Sequence, residues 1–441
     1  MAIASTLLRR LYSKLLQPVI IEFTSLEAMK SAIPDLKQYI DVNQLTPLHP
    51  PATLKEILSA RDRIISRFQN PLASFKVLEH FKMVAMPLFP RDIEEIAAWP
   101  EVAKIYPDRI MSILQYPTVP PEAQYTSPTG QKFTTVTHTK KLLEADIANK
   151  EGYNGEGIIV AVPDTGGSPS HEMTRQMEYY STMREKGQIK DTNGHGEWCV
   201  STIGGREWFD RTLMVKVEGV APKCHLIGIK CLGFIVGFGF DSDVLEAIQL
   251  AIERGAHIVS MSLGSEEVPA DPSEDPQIKA VDTMVENGII PVIAAGNSGP
   301  SPGSINSPGC ADSALTVGAY DPFTGLVADF SSRGPTPWGT IKPDVVAPGV
   351  NIYSGCLGVL DPVGDGLYNH FSVLSGTSMA TPHVAGLLAC AKQYYESLGV
   401  NLTVDLVKTI CETYGEPKNN DSGWGILTWS MFKRYAAEHL A

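Results

Sequence analysis

Four segments of this 441-residue chain carry side chains able to make and break covalent bonds. In Ser375-Gly376-Thr377-Ser378-Met379-Ala380-Thr381-Pro382-His383-Val384-Ala385-Gly386, Ser378 opens a helix that runs on toward Lys392. A hydroxyl at a helix N-terminus lies beside N–H groups without acceptors and the positive end of the dipole, a good place for a developing oxyanion. Pro382 is expected in the first turn or so, where no internal N–H bond is needed. A second segment, Asp191-Thr192-Asn193-Gly194-His195-Gly196-Glu197-Trp198-Cys199, sets His195 between two glycines that leave its imidazole accessible. A third, Gly157-Ile158-Ile159-Val160-Ala161-Val162-Pro163-Asp164-Thr165-Gly166, is a buried strand ending in an acid. The fourth, Ile293-Ala294-Ala295-Gly296-Asn297-Ser298-Gly299, puts an amide just past another strand. Each has an ordinary reading by itself: a turn-forming Asp, a core His, an Asn-Ser-Gly turn. Together an acid, an imidazole and a hydroxyl make a nucleophilic catalyst. The serine loop is not a G-x-S-x-G elbow, because Ala380 stands where the second glycine would be, which disfavours an esterase of the α/β-hydrolase kind.

The elements that must position these groups are short apolar runs bounded by glycine or polar residues: Gly157–Val162, His225–Lys230, Ala256–Leu263, Ile289–Ala295 and Ala314–Ala319. Helical stretches lie between them, one from Asp241 to Arg254 stopped by Gly255, another from Gln277 to Asn287 stopped by Gly288. Near-continuous apolar strands alternating with helices predict an α/β fold, a doubly wound, mainly parallel sheet covered by helices on both faces. In such folds a site forms at the carboxyl ends of the strands, where the chemical motifs fall. This large unit spans 137–441. Before it, residues 115–136 are rich in Pro, Thr and Gly without periodicity and read as an exposed linker. Residues 18–114 read as a small α+β domain, with strands at 18–23 and 81–86 and helical patterns at 25–32, 53–68 and 91–98, and 1–17 as an N-terminal extension.

A net charge of −13 speaks against a protein that grips nucleic acid or an anionic membrane. No run of about 18 apolar residues predicts a membrane span. Arg9 and Arg10 interrupt the first apolar stretch, and no small-residue cleavage site follows, a poor secretory signal that favours the cytoplasm. Seven cysteines show no paired metal-ligand spacing and sit in apolar runs, the pattern of buried thiols rather than a disulfide framework. Asn401 and Asn420 stand in glycosylation sequons.

Taken in chain order, with the Asn segment between His and Ser, these motifs resemble the subtilisin family of serine proteases over about residues 140–435. Val259-Ser260-Met261-Ser262-Leu263-Gly264, Phe330-Ser331-Ser332-Arg333-Gly334-Pro335 and Lys342-Pro343-Asp344-Val345-Val346-Ala347-Pro348-Gly349 share in the resemblance. It implies a serine endopeptidase acting through an acyl-enzyme, with Ser378 as nucleophile, His195 as base and Asp164 as its orienting partner. The Asn297 amide and the Ser378 N–H would form the oxyanion hole. Peptide and protein substrates would bind as an added strand between two rails, Ser262-Leu263-Gly264 and Gly237-Phe238-Gly239, the second in a loop that also brings Phe234 and Phe240. Ala294-Ala295-Gly296 would wall the pocket for the residue before the cut, with Asn306 at its floor. No cofactor is implied for the chemistry; structural calcium is usual in the family, but no ligand set matches here. Residues 18–114 resemble the family's propeptide, an intramolecular chaperone and inhibitor, best in Trp99-Pro100-Glu101-Val102-Ala103-Lys104-Ile105-Tyr106-Pro107-Asp108-Arg109, with 44–70 inserted. The implied self-processing cut falls at Leu114–Gln115; such a propeptide would fit export. Glu197 and Trp198 depart from the family pattern, which has Thr-His there, and Cys199 matches a free cysteine of the proteinase-K-like branch. The competing reading is a non-catalytic binding protein on the same fold.

Overall fold

The computed structural model describes residues 17–36, 75–113, 125–183, 190–233 and 237–440. They form two compact units, one up to Arg109 and one from Ile110 onward.

The first unit contains strand β1 (Gln17–Phe23), helix α1 (Leu26–Leu36), strands β2 (Lys76–Leu78) and β3 (Met83–Leu88), helix α2 (Pro90–Ile96) and strand β4 (Val102–Pro107). The strands make an antiparallel sheet in the order β2-β3-β1-β4. Alternation puts Val19, Ile21 and Phe23 of β1 on one face, where they share a core with Met29, Leu36, Ile93 and Ile96 of the two helices. This is the α+β unit expected from the sequence; the helix expected at 53–68 lies outside the described residues.

The second unit opens with β5 (Ile110–Ile113), β6 (Tyr125–Thr126) and β7 (Lys132–Thr135), then helix α3 (Ala145–Lys150), β8 (Ile159–Asp164) and β9 (Glu178–Ser181). Helix α4 (His195–Gly204), β10 (Trp208–Asp210), β11 (Val215–Val217), β12 (His225–Lys230), β13 (Phe238–Phe240) and helix α5 (Asp241–Glu253) follow. Next come β14 (Ile258–Met261), β15 (Leu263–Gly264), helix α6 (Pro276–Glu286), β16 (Ile290–Ala294), β17 (Leu315–Tyr320), β18 (Val345–Pro348) and β19 (Ile352–Gly355). The chain ends through β20 (Phe371–Leu374) and helices α7 (Thr377–Ser397), α8 (Val404–Tyr414) and α9 (Trp429–His439).

Seven strands build a parallel sheet in the order β18-β17-β16-β14-β8-β12-β9. Its inner strands are buried on both faces, which is why they read as apolar runs instead of alternating. Helices α4 and α7 pack together on one side, and α5 and α6 pack together on the other. Every residue of α4 is buried, as is nearly all of α7 as far as Lys392. Helices apolar all round belong inside a domain, and these two carry the His and Ser motifs. Among the described residues no helix is long and apolar enough to cross a membrane.

Two boundaries differ from the sequence reading. Ile110–Ile113, expected at the end of the first domain, pairs with strands of the large unit. The expected linker 115–136 holds a hairpin, β6 with β7, and β7 extends the sheet of β19 and β20. Phe133 anchors it in the core, fully buried and tilted against Tyr353 at 5.0 Å. Phe133 alone in a Pro/Thr/Gly-rich stretch is too short a signal for period-2 reading, yet its ring buries enough surface to fix the segment.

Candidate active site

Asp164 closes β8 at the carboxyl edge of the sheet, opposite Lys230 of β12. Its Oδ1 accepts the Thr165 N–H at 2.6 Å and lies 2.8 Å from Nδ1 of His195. Both side chains are fully buried, and Oδ2 of Asp164 has no partner. His195 is the first residue of α4. Gly194 before it takes φ +106°, and a Cβ there would run into the sulfur of Cys356, so glycine is required. The helix start is held by Asp191, whose Oδ1 accepts the N–H groups of Asn193 and Gly194 and whose Oδ2 accepts that of Glu197. A carboxylate at an N-terminus satisfies orphan donors and favours the dipole. Asp191 went unremarked in the sequence as a functional group, although an acid four residues before a helix-opening His is a legible cap.

Ser378 is the second residue of α7, after Gly376 at φ +155°. Its hydroxyl donates to the Ser262 carbonyl at 3.1 Å, leaving Nε2 of His195 buried and without a partner. Pro382 is not in the first turn: it is the sixth residue of α7, where an N–H would normally reach the Ser378 carbonyl. That carbonyl is satisfied from outside the helix, by the Ser262 hydroxyl at 3.0 Å and the Cys199 thiol at 3.8 Å. The proline thereby couples the serine loop to β14 and α4.

Asn297 follows β16. Its Oδ1 accepts both the N–H and the hydroxyl of Thr377, at 2.9 and 3.0 Å. The orientation of the carboxamide is therefore fixed, and its NH2 group is buried with no partner. Ser378's own N–H belongs to the first turn of α7, whose donors have no acceptor within the helix.

The two predicted rails lie apart in sequence but share one sheet, β13-β5-β15, with β5 between them. Pairing is antiparallel: Phe238 with Ser112, Gly239 with Met111 and Phe240 with Ile110 on one side. Leu263 pairs with Ile113, and Gly264 with Ser112, on the other. Gly237, at φ +74°, turns the chain into β13, and Ser262 links β14 to β15. Ala294 ends β16, Ala295 and Gly296 follow it, and the Asn306 N–H bonds to the Ala295 carbonyl at 2.9 Å. Gly296 takes φ +113°, a Cβ there would strike the Asn306 amide, and Oδ1 of Asn306 is buried without a partner. Phe234, Leu114 and Gln115 lie outside the described residues.

The two departures from the family pattern are accommodated. Trp198 is fully buried and donates its indole N–H to the Ser372 carbonyl at 3.2 Å. Glu197 is buried too, and burial pushes its carboxyl up to about 8, opposed by hydrogen bonds from Thr174 and Ser168. The folded-state value is raised above the unfolded one, so the stability it brings is fully present below about pH 4.5 and is lost as pH rises toward about 8. Against Glu197→Gln, both in a Ser378→Ala background to stop self-digestion, the wild-type residue should lose relative Tm between pH 5 and pH 8.5. A difference constant with pH would contradict this.

All seven cysteines are free and buried. The Cys199 Sγ is 3.9 Å from Nδ1 of His195, and burial together with the Asp164 charge holds it well above the usual thiol range. It is no nucleophile at neutral pH. An organomercurial reaching it should nonetheless displace His195 and inhibit, and Cys199→Ser should resist; equal sensitivity of that variant would refute the link. Among the described residues, Asp164, His195 and Cys199 are the one set of three acidic, His or Cys side chains near enough to share an ion, and they are the site itself.

Asp164 and His195 are hydrogen-bonded at the carboxyl edge of the parallel sheet, and Ser378 and Asn297 are joined to each other through Thr377; these are the side-chain types a serine hydrolase uses. The profile of the subtilase (peptidase S8) family matches residues 155–425. Serine protease AprX of Bacillus subtilis (strain 168) is 33% identical over 317 residues, covering 67% of this chain and 69% of that protein. Subtilisin DY of Bacillus licheniformis is 34% identical over 286 residues, 64% of this chain and 93% of the relative. Alkaline elastase YaB of Bacillus sp. (strain YaB) is 32% identical over 311 residues, 70% and 69% respectively. The chain belongs to the subtilase family, and it is a serine endopeptidase.

Proposed function

We propose that this endopeptidase works through Ser378, His195 and Asp164 and is made as a precursor that cuts itself between Leu114 and Gln115. The observation that carries the proposal is β5, an extended segment of the chain hydrogen-bonded between both rails as a substrate strand would be. The last described residue of β5, Ile113, pairs with Leu263, the neighbour of Ser262, whose carbonyl holds the Ser378 hydroxyl. In this reading residues 18–114 are an inhibitory propeptide, and β5, its closing strand, occupies the place of substrate between the rails.

The chemistry follows from the geometry. In the reaction the Ser378 hydroxyl, which rests on the Ser262 carbonyl, gives its proton to Nε2 of His195, the ring nitrogen left without a partner. His195 takes that proton as the oxygen adds to the scissile carbonyl, and Asp164 at 2.8 Å stabilises the imidazolium and fixes its tautomer. The oxyanion forms beside the Asn297 amide and the first N–H groups of α7. His195 next gives the proton to the leaving amine, and water resolves the acyl-enzyme by the same route in reverse. Backbone pairing on the rails supplies affinity for many sequences, with side-chain choice left to the pocket of Ala294–Gly296 and Asn306. Subtilases need no cofactor for this chemistry. The test is hydrolysis of casein by the wild type beside Ser378→Ala: activity lost in the variant supports the reading, and equal rates would sink it.

A further inference from the structure

Asp164 and His195 come from different elements, the end of β8 and the start of α4, so their 2.8 Å hydrogen bond depends on what holds the two together. Two side-chain ties run from the first turn of α4 to the segment that follows Asp164. Gly196 donates its N–H to the Thr165 hydroxyl at 2.8 Å. The larger tie is Glu197. One carboxyl oxygen accepts the Ser168 N–H at 2.6 Å; the other accepts the Thr174 hydroxyl at 2.5 Å and, from one turn further along its own helix, the Ser201 hydroxyl at 3.2 Å. The residue is clamped at its backbone as well, through its N–H on Asp191. His171 also faces the carboxyl, with Nδ1 at 3.5 Å, but burial keeps that imidazole neutral, its Nδ1 accepts the Met173 N–H, and its Nε2 bonds to the His370 carbonyl. The carboxyl's hydrogen bonds therefore join two elements: the segment that follows Asp164 and the His195 helix.

We propose that Glu197 is a positioning residue of the catalytic pair, a buried latch that fastens residues 168–174 to α4 and so keeps the Asp164 carboxylate in line with Nδ1 of His195. The proposal rests on the triad reading above. A misplacement on the order of 1 Å can cost about 100-fold in rate without touching the reacting atoms, so a latch two residues from the base has leverage. A residue that merely filled the core would act on stability alone.

The experiment separates these. Wild type, Glu197→Ala and Glu197→Gln, each as the protein purifies, are titrated with a fluorophosphonate that labels the active serine, and kcat and KM on a short chromogenic peptide are expressed per labelled site. Glu197→Ala should lose about 10- to 100-fold in kcat per site with KM within about twofold, because alignment and not substrate binding is disturbed. Glu197→Gln should stay within about threefold of wild type, since its carbonyl still accepts the Ser168 N–H and its amide can donate to the Thr174 and Ser201 hydroxyl oxygens. The latch is overturned if Glu197→Ala lowers only the labelled fraction or Tm while kcat per site holds, or if Gln fails as badly as Ala. Absence of labelling in the wild type is a different outcome, which overturns the triad reading and the latch with it.

Discussion

Replacing Ser378 with alanine should lower kcat on a protein substrate by about a million-fold, a figure taken over from subtilisin rather than derived from this geometry. The physical reason is that no other group can substitute. The nearby thiol, Cys199, is fully buried and directed at the Ser378 carbonyl and at Nδ1 of His195, on the Asp164 side of the ring. Water could be activated by His195, but it would occupy no covalent path to an acyl-enzyme. Because the triad acts as a unit, Ser378→Ala combined with His195→Ala should be hardly worse than either alone. Initial rates on casein for the two single variants and the double variant check both parts. Multiplying losses would mean that the residues act independently, contrary to a shared triad.

Asn297→Ala should reduce kcat by about 100- to 1,000-fold and leave KM nearly unchanged, again a magnitude known from subtilisin. The split follows from where the amide is aimed. Thr377 takes both available contacts of Oδ1, so the NH2 group is the part left over, buried and reserved for charge that develops only during reaction. An interaction made only in the transition state shows in kcat. Asn297→Asp tests the sign: it keeps the acceptor for Thr377 but sets a negative charge where a donor stood, so it should be at least as damaging as alanine. Steady-state kinetics on a short peptide amide would check this. A rise in KM with kcat intact would place Asn297 in substrate binding instead.

Much of this was legible in the sequence because the strands that carry the chemistry are buried on both faces. Ile159–Asp164 and Ile290–Ala294 read as apolar runs, and what breaks each run, Asp164 or Gly296-Asn297, lies at the carboxyl edge. The single His between glycines and the Ser before a run of small residues are local signals as well. What escaped was set by long-range pairing. β5 looks like the end of the first domain until β13 and β15, more than 120 residues away, claim it from both sides. From the sequence Pro382 is expected in an opening turn; its consequence, a carbonyl handed to Ser262, needs β14 and α7 side by side. Glu197 was visible only as an oddity, since its partners at 168, 174 and 201 mean nothing until the loop folds over the helix.

The most direct test of the central claim is intact mass with N-terminal sequencing of the purified wild type beside Ser378→Ala. The wild type should shorten to a new N-terminus at Gln115 while Ser378→Ala remains at full length. Both proteins at full length, or both shortened alike, would contradict a precursor that processes itself through Ser378.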